Sequence, residues 1–98
     1  MDGDNMRILD LDDLRKYVHH TICDYGELET NVFEVTERIL VRRGRPCGVF
    51  FCLHGPRSVK LTAIWETDRN SILFYGSTGQ RMRTINLSAS PQIQLAAA

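Results

Sequence analysis

Cysteine and histidine are the residues of this chain with the widest chemistry, and they fall in two pairs. His20 and Cys23, with His19 alongside, lie in a segment of helical periodicity, whereas Cys52 and His54 lie in a segment of strand character. Residues three apart are neighbours on a helix surface, and residues two apart share one face of a strand. Two cysteines and two histidines are a set that a tetrahedral zinc accepts. The spacing between the pairs matches no common finger pattern, however, and His19, His20 and Cys23 lie off the apolar stripe of their helix. Cysteine also packs well as a small hydrophobe. No metal and no cofactor are therefore assigned.

The remaining chemical possibilities are also thin. Cys47 follows Arg45 and Pro46 at a turn, where a nearby cation would favour a thiolate. A thiol nucleophile further needs an oriented base, and neither an acid/base pair nor a nucleophile elbow is present. The segment GSTGQR at 76–81 lacks the lysine and the following helix of a phosphate cradle, and a flexible hairpin loop explains it. The chain is not expected to be an enzyme.

Arginine makes the one suggestive constellation. Arg38, Arg42, Arg43, Arg45, Arg57, Lys60, Arg69, Arg81 and Arg83 are all the cations of residues 38–98, set against only Glu66 and Asp68. Residues 1–37 hold ten carboxylates against Arg7, Arg15 and Lys16, so the neutral total hides halves of seven charges each and opposite sign. Folding the acidic half onto the basic half would explain this without a ligand. Guanidinium groups favour bidentate pairing with carboxylate or phosphate. Arg43, Arg45, Phe50, Arg57, Arg81 and Arg83 are therefore the candidate partner-binding residues. With Phe50, Trp65, Phe74 and Tyr75 on nearby strands, a base-stacking platform for RNA or single-stranded DNA is the alternative reading. A pI near 6.8 and aromatics embedded in apolar runs weigh against it.

The elements that must position these residues can be read from periodicity. Residues 1–7 read as a frayed leader and 8–26 as a helix. Leu11, Leu14, Val18, Ile22 and Tyr25 form its apolar stripe, Asp10 its N-cap and Gly26 its stop. Residues 27–36 leave a loop, a helical turn and a strand start all open. From 37 to 87 the pattern predicts four to five antiparallel strands joined by short turns at 42–46, 55–57, 67–70 and 76–80. Pro46–His54 is apolar at nearly every position, which marks an interior strand paired along both edges. In the next strand Val59, Leu61, Ala63 and Trp65 alternate with Lys60, Thr62, Ile64 and Glu66. Residues 88–98 read as a mobile tail in which Ile93 and Leu95 are possible anchors.

The expected fold is thus α+β, one domain over 1–98, with an N-terminal amphipathic helix packed on an antiparallel meander. Phe51 shares a strand face with Val49 and Leu53 and is assigned to the core beneath Leu14, Val18 and Ile22; Phe50 faces the uncovered side. One helix covers one face, so the other invites a second copy or the tail. The expectation is a small interaction or assembly domain that forms a homodimer. No apolar run is long enough for a membrane span, and three cysteines without a close pair fit a cytoplasmic, reducing setting.

Overall fold

A computed structural model describes residues 10–29 and 32–87. The expected leader at 1–7, the helix start at 8–9 and the tail at 88–98 lie outside the described residues. The order is helix α1 (Leu11–Gly26), then strands β1 (Glu34–Arg42), β2 (Arg45–His54), β3 (Lys60–Glu66), β4 (Ser71–Tyr75) and β5 (Arg81–Asn86). The strands pair antiparallel in sequence order, so the sheet is a five-stranded meander. This is the α+β architecture expected from periodicity.

Local chemistry sets the limits of α1. The Asp10 side chain accepts a hydrogen bond from the Asp13 N–H at 2.9 Å, while Asp12 and Asp13 place negative charge against the first-turn dipole. Its C-terminal end differs from expectation. Gly26 is still helical, and it is Glu27 that takes the left-handed conformation, with φ of 53°. There the Leu28 N–H returns to the Cys23 carbonyl at 2.8 Å and the Glu27 N–H to Asp24 at 3.2 Å. A Cβ at Gly26 would stand 2.7 Å from the Leu61 Cδ1, the end of a side chain that can turn aside.

The stripe is also wider than its spacing suggested. Tyr17 and Cys23 are buried together with Leu14, Val18 and Ile22, so Cys23 belongs to the core and not to the helix's outer side. These side chains rest on Val49, Phe51, Leu53, Leu61, Ala63, Trp65, Ile72 and Phe74, all on one face of the sheet. Phe51 is fully buried, as expected from the Val49 and Leu53 that share its strand face. Tyr25 meets the Phe74 ring edge-on, with centroids 5.4 Å apart.

β1 begins at Glu34, three residues before the expected 37. Glu34 and Thr36 are exposed and polar, so the apolar pattern that marks a strand starts later than its pairing with His54 and Cys52. The β1–β2 turn consists of Arg43 and Gly44, both with positive φ, as a two-residue hairpin of matching twist requires. Pro46 falls inside β2, where it faces only Val41; the β2–β3 register begins at Gly48. Between Leu40 and Val41 the register steps over Cys47, an extra residue on β2. Its carbonyl accepts from both the Thr67 N–H at 3.0 Å and the Thr67 hydroxyl at 3.1 Å. Gly48 follows because a Cβ there would lie 2.2 Å from the Trp65 carbonyl oxygen.

Asn70 anchors the β3–β4 turn. Its side-chain oxygen accepts from the Trp65 indole N–H at 3.1 Å, and its backbone carbonyl accepts from the Leu87 N–H at 2.9 Å. The end of β5 is thereby tied to the corner between β3 and β4. Among the described residues no helix is long and apolar enough to cross a membrane.

Candidate functional site

Because the strands run in order and in register, the face opposite α1 can be assembled row by row. Its middle row is Arg38, Phe50, Ile64, Leu73 and Thr84, one residue from each strand. On one side lies the row Thr36, Cys52, Thr62, Tyr75 and Arg81; on the other lies Leu40, Gly48, Glu66, Ser71 and Asn86. Phe50, Ile64, Leu73, Tyr75 and Leu40 are half-buried, each shielded by its strand neighbours, and none belongs to the core cluster beneath the helix. Cys52 is 6% exposed. The result is an apolar strip that crosses four strands, β1 to β4, within a polar border.

That border carries both signs of charge and several hydrogen-bonding groups. The Arg38 guanidinium lies over the Phe50 ring, 5.8 Å from its centroid, which gives the strip a cationic lip. At the other end of Phe50's strand the Thr36 hydroxyl sits 3.1 Å from the His54 Nε2. Glu66 and Lys60 complete the set on β3.

The six arginine-and-phenylalanine positions singled out from the sequence do not converge. Arg43 and Arg45 are exposed at the β1–β2 turn, near the Arg42–Asp68 ion pair of 3.5 Å. Arg57 is exposed in the short 3-10 turn Pro56–Ser58, at the opposite end of β2. That strand is ten residues long, so about 30 Å of chain separates these groups. Arg81 and Arg83 lie on β5, the far edge from β1. Phe50 alone sits in the middle of the face. The arginines were legible as residues, but their separation depends on which turns share an end of the sheet, and composition carries no sign of that.

The cysteine and histidine pairs are separated by the sheet itself. Cys23 is in the core on the helix side, whereas Cys52 and His54 belong to the opposite face, so the four cannot share an ion. Burial pushes the Cys23 thiol above its ordinary pKa and so disfavours a reactive thiolate.

One polar cluster on the covered side escaped sequence reading. Arg15 on α1 makes a two-pronged contact with Glu37 on β1, Nη2 to Oε1 at 3.0 Å and Nε to Oε2, which ties the helix to the edge strand. His19, one turn further along, is half-buried with its Nε2 enclosed and without a hydrogen-bond partner among the described residues. Burial lowers its pKa; Glu37 opposes that effect and Arg15 adds to it. The pairing of Arg15 with Glu37 spans 22 residues, too far for any local pattern to register.

Among the described residues the ion pairs with identified partners do not join the acidic half to the basic half. Arg15 pairs with Glu37 and Asp12, Lys16 with Asp12, and Arg42 with Asp68, each within its own half of the chain. A cleft of about 280 Å³ at the C-terminal end of α1, lined mainly by Tyr25, Leu28, Val59, Leu61 and Met82, is at the small end for a ligand site. Comparison of the chain with protein-family models, with curated proteins and with solved structures found no match.

Proposed function

We propose that this protein is a non-enzymatic interaction domain that self-associates through the sheet face opposite its helix. The observation that carries the reading is the strip of Leu40, Phe50, Ile64, Leu73 and Tyr75, half-buried within one copy around the buried Cys52 and able to lose its remaining water contact against a matching sheet. Two sheets packed face to face interdigitate such side chains about 10 Å apart. The border supports a second copy as the occupant, because Lys60 at one end of β3 finds Glu66 of the other end available on a second sheet under two-fold symmetry. Division of the arginines between opposite ends favours this over a phosphate backbone, which needs a continuous basic track. The three free cysteines fit a reducing, cytoplasmic setting for such a domain.

Sedimentation equilibrium at micromolar concentration tests the proposal. The expected result is an oligomer whose mass falls by half in Phe50→Asp, with the circular dichroism of the monomer fold unchanged. A wild-type chain that stays monomeric removes the basis for the reading. In a parallel titration, labelled single-stranded oligonucleotides should not bind at low salt. Binding that weakens steeply as salt rises would instead establish the phosphate-contact alternative.

A further inference from the structure

Among the described residues four large apolar side chains are exposed, and three of them gather at one edge of the sheet. Val32 (59%), Ile39 (38%) and Val41 (61%) lie on β1 or just before it; the fourth, Met82, is on β5. Unpaired strand edges invite pairing, and proteins guard them with short strands, bulges and outward charges. β5 is guarded in all three ways: it has six residues, its register steps over Met82, and it carries Arg81 and Arg83. β1 is different. It runs for nine residues, and because the extra residue of its hairpin is Cys47 on β2, its own alternation is unbroken from Glu34 to Arg42.

The charges on β1 do not guard it either. Glu37 is held by Arg15 of its own helix, and the Arg38 guanidinium is turned inward over Phe50. What remains for a partner is Glu34 at one end and Arg42 at the other, the latter in a 3.5 Å contact with Asp68 between side chains that are both mostly exposed. A strand with opposite charges at its two ends is complementary to an antiparallel copy of itself.

We propose that β1 is a self-association edge: two copies of this chain pair antiparallel through β1, about a two-fold axis at Arg38, into a continuous ten-stranded sheet. This axis is perpendicular to the sheet, so both helices lie on one side and residues of equal parity oppose one another. Full overlap then sets Glu34 opposite Arg42, Val35 opposite Val41, Thr36 opposite Leu40, Glu37 opposite Ile39, and Arg38 opposite itself. The next register of the same parity leaves both copies of Glu34 without Arg42 and sets Glu37 against Val41; the two Glu34–Arg42 pairs outweigh the one Arg38–Arg38 contact, whose guanidinium groups are each drawn over Phe50, and so select the full overlap. The edge contact is independent of the face contact, whose two-fold axis lies in the plane of the sheet.

Disulfide trapping tests the edge directly. In a Cys47→Ser background, Arg38→Cys should oxidise to a covalent dimer, because directly opposed Cα atoms about 4.5–5.5 Å apart are within disulfide reach. Thr36→Cys alone should not cross-link, whereas a mixture of Thr36→Cys and Leu40→Cys chains should. Val41→Lys, at an exposed position, should halve the sedimentation mass, and when combined with Arg38→Cys it should abolish the covalent dimer. Phe50→Asp should leave the Arg38→Cys cross-link intact, which separates the edge from the face. A natively folded Arg38→Cys protein that does not cross-link overturns the edge pairing, whatever its mass. A mass that falls in Phe50→Asp but not in Val41→Lys would then leave the face contact standing alone.

Discussion

The two faces of this sheet are built from the same strands and have different fates. On β2, Phe51 is fully buried beneath Leu14, Val18 and Ile22, while Phe50, its neighbour in sequence, is half-buried on the other side beneath the Arg38 guanidinium. The covered face is close-packed and closed by the helix. The opposite face has the apolar character of a core, but among the described residues only its own strands shield it. The contrast shows that hydrophobicity alone does not distinguish residues buried beneath the helix from residues left half-buried on the other face; the strand face each side chain takes, and which face the helix covers, do.

The largest expected effect tests that contrast on adjacent residues. Phe51→Ala should destabilise the monomer by about 3–5 kcal/mol in urea titrations, through lost transfer energy and the cavity left behind. Phe50→Ala should cost roughly 1 kcal/mol or less in monomer stability, as expected of a partly solvated site, while weakening self-association. Equal losses in the two variants would erase the distinction between the faces. Next in size is Gly48→Ala. With a Cβ forced to within 2.2 Å of the Trp65 carbonyl, the β2–β3 pairing must shift, at a cost of about 1–3 kcal/mol.

Smaller effects sharpen the description of the covered side. Arg15→Ala should lose about 0.5–1 kcal/mol in the same titration, because the pair with Glu37 is well formed but partly solvated. The smallest effect is one of pH. Since burial holds the His19 pKa below its ordinary 6.5, the unfolded chain takes up the proton first as pH falls. The contribution of neutral His19 is therefore complete above about pH 6.5 and is lost as pH falls below the ordinary histidine range. His19→Asn should flatten that part of the stability–pH curve relative to wild type, and parallel curves would show that His19 remains solvated.

Much of this architecture is legible in the sequence, for definite reasons. Spacings of three and four from Leu11 to Tyr25 mark one side of a helix, and alternation from Leu61 to Trp65 marks one side of a strand. Parity separates Phe50 from Phe51, and the company of Val49 and Leu53 assigns Phe51 to the core. Burial of Tyr17 and Cys23 was not legible, because a helix lying on a broad sheet buries a wider arc than its most apolar stripe. The start of β1 was hidden by Glu34 and Thr36, edge-strand residues that pair on one side only and have no need to be apolar. Gly26 marks the end of the helix in sequence, but not that the left-handed residue is Glu27, one position further on. The candidate surface was read only in part. Phe50 was placed on the open face, but the dispersal of the arginines and the contact of Arg15 with Glu37 are properties of the assembled sheet.

The meander order has a consequence for how the chain is made. Each strand pairs with the strand synthesised just before it, so the sheet can grow by successive hairpins without closing a long loop, a topology that favours rapid folding. The helix is the exception. It leaves the ribosome before the strands that bury it, and sixteen residues are marginal as a helix in water. Leu14, Val18 and Ile22 must therefore wait until β2 and β3 have paired, which makes helix docking the late, cooperative step and the nascent chain most in need of protection while Phe51 is still being synthesised.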